Sequence, residues 1–179
     1  TILTANIGVG FISGYLADPY KVVELNGVLV PESRPDSKMK RVAYLSLIRL
    51  LKPVNASVEG SYRFYNDSFA ITGHTVSLAW LQQFGKTFVL KPSLRWYDQS
   101  EADFYAVRFS GSPQYYSSDY RVSAFQAYSY GLKLVWKVSP SLGFDVAYER
   151  YEQLGKDGET NPDVYPRANV FTAGVRIDI

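Results

Sequence analysis

The segment TFVLKPSLRWY, residues 87–97, alternates between two kinds of side chain. Its even-numbered positions are apolar, and they are Phe88, Leu90, Pro92, Leu94 and Trp96. Its odd-numbered positions are mostly polar, and they are Thr87, Val89, Lys91, Ser93, Arg95 and Tyr97. A period of two places each set on its own face of a β-strand. The segment therefore predicts a strand with one apolar face and one polar, charged face.

Similar segments recur along the chain and predict about eight strands. The predicted bounds are 2–15, 41–52, 57–66, 73–84, 87–98, 120–137, 142–152 and 168–179. Segment 41–52 alternates poorly, because apolar residues occupy both phases. A small additional hairpin is predicted over 22–31, since the Asn26-Gly27 pair favours a type I′ turn.

The connections between the predicted strands alternate between short and long. Short turns are predicted near 54–56, 85–86 and 139–141, and longer connections over 16–40, 66–72, 98–119 and 153–167. Short periplasmic turns opposite longer external loops are typical of outer-membrane β-barrels. No run of 18 apolar residues is present, so no transmembrane helix is predicted. The chain opens Thr-Ile-Leu-Thr without a signal peptide, and we expect a mature form or a fragment of an exported protein.

Aromatic residues are unusually frequent, at 16% of the chain with 15 Tyr, 10 Phe and 3 Trp. Membrane–water interfaces favour such rings. The candidates for interfacial girdles on the apolar face are Phe84, Phe88, Trp96, Trp136, Phe144 and Tyr148. We therefore predict a single all-β domain over 1–179, an antiparallel transmembrane β-barrel in a bacterial outer membrane, surrounded by lipid and lipopolysaccharide.

Composition argues against several other classes of protein. The chain has no Cys and one His, which excludes disulfides and thiolate metal sites and argues against zinc. Its net charge is +2, with acidic and basic residues interspersed, so no basic face for nucleic acid is evident. We predict no cofactor and no metal.

Short motifs spread in order over most of the chain carry a family resemblance. They are Asp18-Pro19-Tyr20-Lys21, Arg34-Pro35-Asp36-Ser37, Tyr62-Arg63-Phe64-Tyr65, Gly73-His74-Thr75, Pro92-Ser93-Leu94-Arg95-Trp96-Tyr97, Ala102-Asp103-Phe104-Tyr105, Asp119-Tyr120-Arg121 and Glu149-Arg150-Tyr151. As a set they resemble the domain-of-unknown-function 3570 family of bacterial outer-membrane proteins. The resemblance implies an outer-membrane barrel and brings no activity with it. It also implies that these residues are the C-terminal strands of a wider barrel, since family members are generally longer.

Charged residues in the polar phase are the main functional lead. Those predicted to point inward are Arg49, Glu59, Arg63, Lys91, Arg95, Arg121, Lys133, Lys137, Asp145, Glu149, Arg176 and Asp178. One interpretation is a porin-like pore whose positive excess favours anions, because charged rings set selectivity. The alternative is an ionic network that fills a narrow eight-stranded barrel. A structural barrel that docks envelope proteins through its long external loops is a further alternative.

The single histidine raises a separate hypothesis of catalysis at the external rim. His74 lies near the start of the predicted strand 73–84, and the carboxylates in nearby loops are Asp67, Asp98, Asp103 and Asp119, of which Asp98 and Asp103 are the rim-site candidates. A histidine oriented by a carboxylate acts as a general base in hydrolases and acyltransferases. Ser77 lies three residues further on, on the opposite face of the strand, and so does not supply the nucleophile. The alternative is a histidine that holds a loop by hydrogen bonds.

Overall fold

A computed structural model describes residues 1–177 and shows an all-β chain. Its strands are β1 Ile2–Ser13, β2 Val22–Leu25, β3 Val28–Pro31, β4 Ser37–Leu51, β5 Ala56–Asp67, β6 Thr72–Phe84, β7 Phe88–Gln99, β8 Arg108–Phe109, β9 Phe125–Lys137, β10 Leu142–Gly155 and β11 Arg167–Ile177. Short 3-10 helices cover Lys52–Val54, Tyr120–Val122 and Pro162–Val164. Within the described residues, no helix is long and apolar enough to cross a membrane.

Eight long strands form one antiparallel sheet in the order β1-β4-β5-β6-β7-β9-β10-β11. Three tight connections, 52–55, 85–87 and 138–141, lie at one end of this sheet, which we call the turn end. Asn55 and Gly85 adopt positive φ there, at 49° and 58°. The connections 14–36, 68–71, 100–124 and 156–166 lie at the opposite end, the loop end. The predicted asymmetry is therefore present, although the connection predicted over 66–72 is only 68–71.

The sheet is open rather than closed into a complete barrel. Among the described residues, β1 pairs only with β4, and β11 pairs only with β10. Both edge strands expose apolar side chains, with Ile7 89% and Phe171 78% exposed. Two long strand edges are therefore left without a partner strand.

The strand register extends the alternation of β7 across its neighbours. Leu94 lies opposite Leu78 on β6 and opposite Tyr130 on β9, so its even phase continues as one apolar face. Ser93 lies opposite Ala79 and Gly131, which continues the polar face. Large apolar side chains on the apolar face are exposed over its whole extent. A contiguous apolar surface of this size is rare on soluble monomers and is the lipid-facing band of membrane barrels.

The buried residues of the chain lie mainly in the loops rather than between the strands. One cluster contains Phe69, Ile71, Ala102, Phe104 and Val122. A second small sheet, in the order β3-β2-β8, lies in the same region. Together the connections at the loop end, 14–36, 68–71, 100–124 and 156–166, form a folded layer that we call the loop cap. It is stabilised by its own apolar core.

The hairpin predicted over 22–31 is confirmed as β2 and β3. Asn26 and Gly27 have φ of 53° and 79°, the double positive φ of a type I′ turn. The predicted strand 120–137 is wrong at its start, because residues 120–122 form a 3-10 helix capped by Asp119 and the strand begins at Phe125. The last two residues of predicted strand 168–179, Asp178 and Ile179, lie outside the described residues.

Candidate functional site

Most of the charges predicted to point inward lie together on the polar face. The register places on it Glu59, Arg63, Lys91, Arg95, Lys133, Lys137, Asp145, Glu149 and Arg176. These residues come from strands β5, β7, β9, β10 and β11, and each of these strands presents its polar phase to the same side. The face therefore combines basic and acidic groups with small residues such as Ser93 and Gly131. Such a surface stays in contact with water.

Arg49 is on the apolar face, so its predicted inward orientation is wrong. It lies opposite Val58, which in turn lies opposite Trp80. The sequence around it has apolar residues in both phases, and only pairing with β5 decides which phase faces which side. Arg49 lies two residues before the end of β4 at the turn end. A long basic side chain at that depth reaches the headgroup region.

Arg121 also does not lie on the polar face of the sheet. It belongs to the 3-10 helix Tyr120–Val122 in the loop cap. Its guanidinium forms ion pairs with Asp18 and Asp119, with Nε donating to Asp119 Oδ2 at 2.7 Å. Arg121 has the same odd-numbered position as the polar residues of predicted strand 120–137, but it is not part of the strand, which starts only after the 3-10 helix.

Charges on the polar face differ in how they are paired. Lys133 Nζ lies 2.8 Å from Asp145 Oδ2, and Lys91 Nζ lies 3.7 Å from Glu59 Oε2. A cavity of about 270 Å³ opens on this face beside Lys91. The cavity is lined by charged groups and serine hydroxyls, namely Glu59, Ser61, Ser77, Lys91, Ser93, Arg95, Ser129 and Glu149. Its chemistry suits water and small polar solutes.

The aromatic candidates on the apolar face separate into two levels. Phe84, Phe88, Trp136 and Phe144 lie opposite one another in register, in one row at the turn end. Ring centroids in this row are 6.1 Å apart for Phe88–Trp136. Trp96 lies opposite Tyr128 nearer the loop end. Phe88 and Trp96 are separated by about 26 Å of strand, close to the height of an outer-membrane apolar band.

Tyr148, another girdle candidate, lies in the middle of a strand rather than near an end. It pairs with Leu132 and Phe171 in the middle of β10, because β10 continues to Gly155. Its hydroxyl donates to Asn169 Oδ1 at 3.0 Å, and its ring packs on Phe171 with centroids 5.0 Å apart. The hydroxyl of this central tyrosine therefore has a hydrogen-bond partner on the same face.

The residues of the hypothetical rim site are held apart by separate contacts. His74 Nδ1 lies 2.7 Å from Tyr62 Oη, on the apolar face near the loop end. Asp98 is opposite His74 in register, but its carboxylate accepts from Lys156 Nζ at 2.7 Å and from Gln126 Nε2 at 3.0 Å. Asp103 lies in the loop cap, where its backbone N–H donates to Phe69. These contacts do not join the three residues into one catalytic site.

A buried ionic cluster in the loop cap was missed by the sequence analysis. Arg34 Nη2 lies 2.7 Å from Asp119 Oδ2, and Arg34 Nε lies 2.9 Å from Glu32 Oε1. The side chains of Glu32 and Asp119 are fully buried. Ser117 Oγ donates to Glu32 Oε2 at 2.6 Å. Arg34 and Asp119 are 85 residues apart, so no local sequence pattern predicts the pair.

No group of three or more His, Cys, Asp or Glu side chains in residues 1–177 is arranged to bind a metal ion.

Two carboxylates of the loop cap, those of Asp119 and Asp18, have lowered pKa values. Burial alone raises the pKa of Asp119, but hydrogen bonds from the Arg121 side chain, the Arg121 backbone and Arg34 together lower it below its ordinary value. The pKa of Asp18 is also lowered, by the backbone N–H of Tyr20 and by the side chain of Arg121. Ionised Asp119 therefore joins the loop that carries Arg34 to the loop that carries Arg121.

The loop cap should lose stability in acid before the sheet does. Because folding lowers the pKa of Asp119, its contribution is complete above the unfolded pKa and is lost as the pH falls through the folded one. Native-state hydrogen exchange, corrected for intrinsic rates, should show constant protection of β2 and β8 at neutral pH and a loss below about pH 4. In Asp119→Asn this loss should be smaller. Equal acid sensitivity of the variant and the wild type would show that protonation of Asp119 does not cause the loss of protection.

Comparison with known proteins gives a family and a fold. A family model described as "Protein of unknown function (DUF3570)" matches residues 1–175. A search of curated proteins gave no significant match. The fold is similar to a solved structure of OmpTdeltaL8, a loop L8 deletion mutant of OmpT, an outer membrane protein of Vibrio cholerae. The TM-score is 0.58 at 12% sequence identity, covering 98% of this chain and 49% of that chain.

This similarity establishes the type of fold only, and the chain spans about half the length of the solved structure. It agrees with the antiparallel sheet, the alternating short and long connections and the exposed apolar face. The chain belongs to the DUF3570 family, and its fold is that of an outer-membrane β-barrel.

Proposed function

We propose that the chain forms part of a wide barrel in the bacterial outer membrane and that its polar face lines a passive, water-filled channel. The observation that carries this proposal is the open eight-stranded sheet, which has a charged, hydroxyl-rich face and an exposed apolar face. On this account the apolar face contacts membrane lipid and lipopolysaccharide. The mechanism is diffusion of small polar solutes past the side chains of the polar face.

The two free edges support a barrel with more strands. β1 and β11 are 12 and 11 residues long, and an unpaired edge of that length cannot remain exposed to hydrocarbon. The similar solved chain is about twice as long as this one. A barrel of about eight strands fills its interior with side chains, whereas one of about sixteen leaves an aqueous channel. Pairing of both edges with further strands gives the wider form.

The charges on the polar face favour anions mildly. Lys91 and Lys133 are neutralised in part by Glu59 and Asp145. Arg63, Arg95 and Lys137 share the face with Glu149. The basic groups are in excess, and an excess of one sign along an aqueous pore raises the local concentration of the opposite ion.

Single-channel recording of the full-length protein in planar bilayers tests the proposal. A salt gradient should give stable steps and a reversal potential on the anion side. Arg95→Glu with Lys133→Glu should move that potential to the cation side, because both residues lie on the polar face. The matched control is Arg41→Glu with Arg49→Glu on the apolar face, which should leave it unchanged. Equal shifts in both double variants would contradict a conducting polar face.

A second candidate function is a non-conducting barrel that docks an envelope protein through the loop cap. The observation in its favour is a folded cap with exposed apolar groups, Tyr20 at 91% and Leu29 at 70%. This candidate predicts a folded protein that is silent in bilayers. It also predicts a partner that co-purifies with the wild type and is lost with Tyr20→Ser and Leu29→Ser. A conducting protein without such a partner would exclude it.

A further inference from the structure

Two side chains of opposite charge point into the cavity of the polar face without an ion-pair partner there. Arg95 and Glu149 both line the 270 Å³ cavity. Among the described residues, no ion pair or side-chain hydrogen bond is found for either of them, whereas the neighbouring Lys91 and Lys133 have carboxylate partners. Both side chains are exposed. One positive and one negative group are therefore available in the same cavity.

The strand register fixes the spacing of these two groups. Arg95 on β7 lies opposite Ser129 of β9, and Glu149 on β10 lies opposite Gly131 of β9. Their backbones are therefore about 10 Å apart across the strands and about 7 Å apart along them. Because both side chains are long and extend from the same face, a small molecule placed over β9 contacts both.

Gly131 on β9 lies beside the cavity, opposite Ser93 and Glu149 in register. A Cβ atom added at Gly131 would lie 3.2 Å from Ser93 Oγ and 3.6 Å from Glu149 Cβ. Hydroxyl groups of Ser77, Ser93 and Ser129 line the same cavity. These groups donate and accept hydrogen bonds without adding charge. Besides the Lys91–Glu59 ion pair, which also lines it, the cavity thus offers the cation of Arg95, the anion of Glu149 and neutral hydroxyl groups.

We propose that this cavity is a binding subsite for zwitterionic solutes of the size of an amino acid or a dipeptide. Arg95 binds the carboxylate by paired N–H donors, and Glu149 accepts from the ammonium group. The proposal rests on the proposed function in one respect, since it needs the polar face to be open to water. It goes further by naming the class of solute that is retained during passage. A simple anion or cation satisfies only one of the two groups and binds more weakly.

Saturation-transfer NMR on the full-length protein in micelles tests the subsite with four three-carbon probes. Alanine carries both charges and lactate only the negative one. Isopropylamine carries only the positive charge, and propane-1,2-diol carries neither. Alanine should give a saturable signal, and the other three should bind at least about tenfold more weakly, the effect of losing one charged contact. Lactate that binds as tightly as alanine would overturn the proposal in favour of an anion site. Absence of saturable alanine binding would also overturn it.

Charge variants and matched controls separate the subsite from general electrostatics. Arg95→Gln and Glu149→Gln should each weaken alanine binding about tenfold or more. Lys133→Gln and Asp145→Asn make the same changes of charge on the same face but outside the cavity, and should change it by less than about twofold. The exchange Arg95→Glu with Glu149→Arg should restore binding in part. Equal losses in the control variants would overturn the subsite.

The binding assay does not require conduction, so the two proposals fail separately. Conduction without alanine binding overturns the subsite and leaves the channel intact. Alanine binding in a protein that is silent in bilayers supports the subsite and overturns the channel.

Discussion

Arginine at position 94 should lower the free energy of unfolding in lipid vesicles by about 2–4 kcal/mol, the cost of a charge at the depth of the bilayer midplane. Leu94 is 61% exposed on the apolar face, between Leu78 and Tyr130 and midway along β7. If this face contacts lipid, a guanidinium at position 94 has neither water nor an adjacent carboxylate to stabilise it. Arg150 lies in the same register row but is paired with Glu152 at 2.7 Å. Equilibrium unfolding by guanidinium chloride in vesicles, followed by tryptophan fluorescence, measures the change.

The adjacent substitution Ser93→Arg is the matched control. Ser93 is on the polar face, in the same register row as Glu59 and Glu149. Arginine there remains in water and near two carboxylates, so we expect a change within about 0.5 kcal/mol. Equal costs at positions 93 and 94 would show that the two faces do not differ in environment.

Asp119→Ala should destabilise the loop cap by about 3 kcal/mol, the lower end of the cost of breaking a buried ion pair, because buried Arg34 loses one of its two carboxylate partners and keeps Glu32. Asp119 accepts from Arg34 Nη2 at 2.7 Å, from Arg121 Nε at 2.7 Å and from the Arg121 backbone at 3.0 Å. Hydrogen exchange should report the loss in β2, β8 and the bridge between Ser33 and Tyr116, while the central strands keep their protection.

The control for Asp119 is Asp163→Ala, which removes an exposed carboxylate from the same loop cap. It should change exchange rates little, as surface substitutions generally do. A loss of protection that is the same in both variants, or that spreads over the whole sheet, would contradict a local role for the buried cluster.

The alternating pattern predicted most strands and faces correctly, because the polarity of each strand residue indicates whether its side chain is on the apolar or the polar face. In 87–97 every even position is apolar, and the structure places this phase on one face. Where both phases are apolar, as in 45–51, the pattern contains no phase information. The predicted face of Arg49 is therefore wrong, and its pairing with Val58 is what places it on the apolar face.

Side-chain contacts between residues far apart in the sequence could not be predicted from local patterns. Arg121 follows the phase of strand 120–137 but is held in a 3-10 helix by Asp119 and Asp18. The pairing of Arg34 with Asp119 joins two loops 85 residues apart. His74 and Asp98 were placed near each other correctly, yet their side chains take other partners, Tyr62 and Lys156. Proximity along the sheet did not determine which groups bind each other.

Closure of the barrel is a further property that alternation does not determine. The pattern predicts which side of a strand is apolar, not which strands are neighbours at the edges. An even number of strands is compatible with a closed eight-stranded barrel and with one part of a wider barrel. Within residues 1–177, β1 and β11 are not paired with each other, which favours the wider form on which the channel proposal depends.

The most direct test of the account measures which face of the sheet contacts water in a membrane. Residues 1–179 contain no Cys, so no native thiol of this segment competes with a cysteine introduced on β9. In vesicles, a charged thiol reagent should modify Ser129→Cys and Lys133→Cys on the polar face at least about tenfold faster than Leu132→Cys and Leu134→Cys on the apolar face, since only the hydrated thiol ionises and meets the reagent. Alternation of fast and slow reaction along β9 is the result that the account predicts. Similar rates at all four positions would contradict a sheet with one face to lipid and the other to a water-filled channel.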